Sequence, residues 1–168
     1  MNAVYSSKMN TINHLAKHFR ELYFGNNWTE TNLKSILNDV TWAEATHQVG
    51  SFNTITALVF HIHYFVGVAL NVLEGNDLDG NDSLSFDVPE MISESDWKEL
   101  IDTVWRDTEK FAAHVELMPN SKLWEPFWDE KYGNYYRNIQ GIIEHSYYHM
   151  GQIVIIKELI RSVEASKS

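Results

Sequence analysis

The sequence predicts an all-α protein, a single four-helix bundle spanning residues 1–168. Three observations lead there. Apolar residues recur at intervals of three and four instead of alternating, which is the period of helices laid on a core. Gly, Asn and Pro gather at the ends of four such stretches, where a chain turns. A length of 168 residues suits one domain, enough to hide about 70% of the unfolded surface. No repeat, low-complexity tract or break in composition marks a second unit.

Residues 7–24 form the first predicted helix, with Ile12, Leu15, Ala16, Phe19, Leu22 and Tyr23 on one stripe. Gly25-Asn26-Asn27 ends it as a C-terminal cap. A shorter helical piece covers residues 31–38. Thr41-Trp42-Ala43-Glu44 has the form of a capping box, in which two side chains satisfy each other's free backbone N–H, and the turn it opens must be short before Gly50. The second long helix, residues 53–74, carries Leu58, Val59, Ile62, Val66, Ala69 and Leu73 and closes at Gly75-Asn76. Residues 75–89, GNDLDGNDSLSFDVP, make a long acidic connection across one end of the bundle. Ser93 or Ser95 caps a third helix reaching residue 116, with Trp97, Leu100, Ile101, Val104, Phe111 and Val115 inward. Residues 123–136 are irregular and aromatic. Gly133 supplies a bend and Asn134 a cap for a fourth helix running to residue 163, long enough at 1.5 Å per residue to traverse the whole domain.

Composition narrows the function. Thirteen Lys and Arg stand against 23 Asp and Glu, a net charge of −10, with no basic cluster. Nucleic-acid binding draws most of its affinity from Lys and Arg on phosphates, so this chain is a poor candidate for it. The absence of cysteine excludes disulfides, thiolate metal sites and a cysteine nucleophile, leaving histidine and carboxylate as metal donors. No run of 18 apolar residues and no basic, then apolar, N-terminus is visible, so a cytoplasmic protein without a membrane partner is expected.

The chemistry concentrates in the fourth helix, in Gly141-Ile142-Ile143-Glu144-His145-Ser146-Tyr147-Tyr148-His149-Met150-Gly151-Gln152. Residues four apart on a helix are neighbours, so His145 and His149 can aim ring nitrogens at one ion. The pair falls on or beside the inward stripe of Ile142, Ile153, Ile156 and Ile160. Imidazoles turned toward a core need partners, and a divalent metal would use both acceptor nitrogens at once. His14 and His18 repeat the spacing but lie about 100° from the centre of their helix's stripe, facing solvent or a flank. A third ligand must come from elsewhere. His61 and His63 flank the second helix's apolar stripe and periodicity alone leaves both open, with a lean toward His61 when Phe65, Val68 and Val72 count as buried. His47, near a turn, and His114, a lone histidine on the third helix, read as structural or solvent-facing.

Leu-Val-x-His on an apolar helix in the first half, followed by His-x-x-x-His-x-Gly-Gln on the last long helix, resembles the DinB superfamily of metalloenzymes. The resemblance covers most of the chain and extends to Asn27-Trp28-Thr29, Ser51-Phe52-Asn53-Thr54-Ile55 and Trp105 to Phe111. It implies a DinB-like, up-down-down-up four-helix bundle, commonly a homodimer. It also implies one divalent metal ion, zinc or nickel, held by His61, His145 and His149. A small-molecule substrate is implied too: several relatives transfer low-molecular-weight thiols, and many have no known reaction.

Three protein ligands leave an open position on a zinc-like ion, the pattern of catalytic sites. The expected function is therefore that of a metal-dependent transferase or hydrolase, with a non-catalytic metal- or small-molecule-binding dimer in a stress response as the alternative. Gln152 and Tyr148 are candidates for contacts around the metal or substrate, against a helix-packing role. The aromatic segment Trp124 to Tyr136 either lines the mouth of the site, plugs the bundle's end or forms a dimer contact.

Overall fold

The computed structural model describes residues 10–166. Within them the chain forms six α-helices and three short 3₁₀ turns, and no β-strand. The four long helices are α1 (Thr11–Phe24), α4 (Ile55–Leu73), α5 (Glu94–Leu117) and α6 (Tyr135–Ala165), with α2 (Leu33–Leu37) and α3 (Trp42–Thr46) as short pieces between the first two.

Side-chain caps fix where these helices begin. Asn10, Asn32, Thr41, Thr54 and Ser93 each adopt extended backbone and accept a hydrogen bond from the N–H three residues on. At α6 the Asn134 side chain likewise accepts from Arg137 N, at 2.9 Å. Each such cap satisfies an orphan donor and contributes about 1 kcal/mol. The box at Thr41 and Glu44 forms as the sequence predicts, and Asn32 with Ser35 makes a second. Because Asn10 caps, α1 starts at Thr11 and not at the expected residue 7, and Ser7 lies outside the described residues.

α1 packs on α5 and α6, and α4 packs on the same two, so the long helices close a cycle around one core. Phe19, Tyr23, Leu58, Ile62, Phe111 and Ile153 lie at its centre, each at most 1% exposed. On α6 the buried isoleucines are Ile139, Ile143, Ile153, Ile156 and Ile160, while Ile142, expected inward, is only partly covered. α4 is apolar almost all round, as a helix with neighbours on several sides must be. By length and composition it is apolar enough to cross a membrane, where no such stretch was expected from the sequence; 56% of its most apolar window is buried inside the protein.

Two connections position the site. Residues 75–89 lie back along α4 and do not simply cross the bundle's end. Asn71 Nδ2 donates to the Asp77 carbonyl at 2.8 Å, and Asn81 N donates to Tyr64 Oη at 2.7 Å. At Gly80 the backbone comes so close that a Cβ would stand 2.8 Å from Val68 Cγ1. At the far end of α6, Arg161 binds Asp39 at 2.7 Å and Glu44 at 2.7 Å, and Lys157 binds Asp39 at 2.5 Å, which ties the helix to the α2–α3 region.

Candidate metal centre

α4 and α6 pack side by side, and one turn of each brings histidines face to face. His61 comes from the middle of α4, and His145 and His149 from successive turns of α6. One ring nitrogen from each lies within 4.8 Å of the others. The closest approach is His61 Nε2 to His145 Nε2, 3.0 Å. His61 and His149 are each 8% exposed and His145 is half-buried.

Burial sets the charge state. Desolvation, followed by the neighbouring His149 and His61 rings, lowers the His145 pKa to about 4. Desolvation also lowers His61, again followed by His149, with the nearby Ser85 backbone and Asp82 partly offsetting it. Both rings are therefore neutral at pH 7, so each keeps one nitrogen lone pair. If both Nε2 atoms are bare acceptors, two lone pairs face each other at 3.0 Å, an arrangement that a shared cation relieves. His61 Nδ1 and His145 Nδ1 are buried without a hydrogen-bond partner. His149 differs, since its Nδ1 meets Gln152 Oε1 at 2.7 Å. An amide oxygen only accepts, so Nδ1 carries the proton and Nε2 is left free as a donor atom for a metal.

An aromatic wall surrounds the triad. Phe86, delivered by the acidic connection, stacks on His61 with centroids 3.9 Å apart and planes 12° apart. Phe65, one turn after His61, presents its edge to both His61 at 5.1 Å and His145 at 4.9 Å. Tyr148 touches His149 edge-on at 4.8 Å, yet is 66% exposed. Beside His145 opens a cavity of about 280 Å³ walled by Phe65, Ile142, Asn138 and Arg137. A second, of about 230 Å³, shares Phe65, Asn138 and Ile142 and continues to Phe127 and Tyr132.

The three histidines predicted as a group are thus brought together, and the other five are not among the grouped ligands. His63 points to α5, where its Nε2 meets Asp107 Oδ2 at 3.0 Å. His14 is exposed, and His18 packs its ring against Tyr147 at 5.8 Å. His47 is exposed, and His114 faces Glu74 at 3.9 Å. Of the aromatic segment, Phe127 and Tyr135 are buried against each other, and Phe127 with Tyr132 also lines the second cavity. Sequence alone misses Phe86 and Ser85. The signal for Phe86 is thin: an aromatic residue in a connection otherwise made of Gly, Asn, Asp and Ser. Phe65 is easier, being four residues from His61 on the same helix.

Comparison with protein-family models, with curated proteins and with solved structures finds no match to this chain.

Proposed function

We propose that the protein is a metal-dependent enzyme of DinB-like type, holding one divalent ion through His61, His145 and His149 and acting on a small molecule, with a low-molecular-weight thiol transferase or a hydrolase as the reaction class. The observation that carries this is the convergence of three histidine nitrogens, from rings seated in an aromatic wall beside an open cavity. The donor set fits such an ion: nitrogen ligands only, two rings kept neutral by burial and the third fixed in tautomer by Gln152. Zinc and nickel both suit imidazole ligands.

A bound ion would supply an open Lewis-acid position that lowers the pKa of water or of an external thiol. The chain does the rest. Gln152 orients His149, Phe86 and Phe65 shield the rings from bulk water, and the cavity beside His145 receives the small molecule. With no cysteine in the chain, any thiol must come from outside. The contact cycle of the four long helices supports the bundle, with the up-down-down-up order as part of the same proposal. A homodimer is proposed with it, supported by an exposed apolar row on α6 of Tyr148, Ile155, Leu159 and Val163.

Elemental analysis of protein purified without a polyhistidine tag tests the centre. One metal per chain is expected, lost in the His145→Ala, His149→Ala double variant and retained when His14 and His18 are replaced by alanine. Retention in the first variant removes the site. A panel of glutathione, cysteine and bacterial thiols with several electrophiles tests the reaction, with metal-free protein and His149→Ala as controls. Rates equal to the controls throughout count against thiol transfer.

A further inference from the structure

Arg137, Gly141, His145 and His149 follow one another at intervals of four, so they form a single row along α6. Arg137, an exposed residue, sits in the first turn of that helix, and its stem passes close over the residue before the cap: at Gly133 (φ +76°) a Cβ would be only 2.6 Å from Arg137 Cδ. The other three arginines bind carboxylates, Arg20 with Glu109 and Glu116, Arg106 with Asp107, and Arg161 with Asp39 and Glu44. Arg137 has no such partner among the described residues, although the chain carries 23 acidic side chains.

Gly141 is the second observation. Glycine inside a helix costs roughly 0.5–1 kcal/mol relative to alanine. No steric need explains it, because a Cβ there would meet nothing within 4 Å. What the missing side chain leaves is an open floor between Arg137 and His145, walled by the apolar faces of Phe65 and Ile142. From Arg137 to His145 is a step of eight residues, roughly 12 Å along the helix axis.

We propose that this groove is the substrate channel, and that the substrate is an elongated molecule with an apolar body and an anionic end, a carboxylate or a phosphate monoester. Arg137 binds the anionic end. The body lies over Gly141 against Phe65 and Ile142, and the other end reaches the histidines. Guanidinium suits the role, since its planar fork pairs with carboxylate or phosphate through two hydrogen bonds. Asp82 lines the adjoining cavity, and among the described residues no acidic one lines the cavity that holds Arg137. The position of the reacting end rests on the metal-centre proposal; the anion site does not.

Octanoate, octyl phosphate and the neutral octanamide, titrated into metal-free protein by NMR, provide the test. Either anion is expected to bind at least about tenfold more tightly than octanamide, and the stronger of the two identifies the source of the charge. Arg137→Gln should abolish that preference and Arg137→Lys retain part of it. Gly141→Leu should weaken all three probes by filling the floor while leaving metal content unchanged. Circular dichroism confirms that each variant is folded. Equal binding of anions and amide, an Arg137→Gln protein that still prefers anions, or no binding by any probe overturns the proposal. Loss of the metal reading shows separately, as absence of metal on elemental analysis.

Discussion

His61 and His63 lie two residues apart on one helix, and their surroundings separate them completely. One faces His145 at 3.0 Å, the other Asp107 at 3.0 Å. His61→Ala should therefore weaken zinc binding by more than the roughly 10- to 100-fold typical of a supporting contact, whereas His63→Ala should leave it nearly unchanged. The His63 variant loses instead about 1 kcal/mol of stability with its contact to Asp107, measurable by urea unfolding. Gln152→Leu is expected to fall between, roughly 10- to 100-fold weaker in a chelator competition, because the amide fixes a tautomer without touching the metal. Acid adds a further test. His145 has a folded pKa of about 4 against an ordinary 6.5, so between those values the unfolded chain binds more protons. Metal-free protein should keep this contribution above about pH 6.5 and lose it progressively as pH falls toward 4. A melting temperature flat across that window would show that the ring is solvated.

Among the helices and connections, two glycines make opposite predictions. Gly80 is pressed against Val68, and a methyl group there must push the acidic connection off α4. Gly80→Ala should destabilise by about 1–3 kcal/mol and loosen the stacking of Phe86 on His61. Gly141 faces open space in the second turn of α6, so Gly141→Ala should stabilise by roughly 0.5–1 kcal/mol through helix propensity alone. Thermal melts of the two variants must move in opposite directions. The caps at Thr41 and Asn134 were legible in advance, and that of α5 to within Ser93 or Ser95, because each is a local event, a side chain reaching a backbone N–H three residues away. The placement of residues 75–89 was not. Its anchors, Tyr64 and Asn71, belong to another element, and nothing in a run of Gly, Asn and Asp says which helix it will lie against.

For the molecule as a whole, the exposed row on α6 bears on assembly. Ile155 is 61% exposed and Leu159 37%, and both border a groove with Phe52. The Ile155→Glu, Leu159→Glu variant should sediment as a monomer with its fold and metal content intact, while the parent protein sediments as a dimer. A parent that is monomeric at high concentration ends the dimer proposal. The sequence by itself determined that the chain is helical, where α3 and α6 begin, and which histidines share a helical face, because periodicity and capping act over three or four residues. It also ruled out thiolate ligands by composition. The choice of His61 over His63 was decided only when α4 packed on α6, since a rotation of one helix by about 200°, two residues at 3.6 per turn, would have exchanged them. The same holds for Phe86 against His61 and for the open path from Arg137 to His145. Those relations join residues distant in sequence or depend on where a side chain is missing, and only the packed structure fixes them.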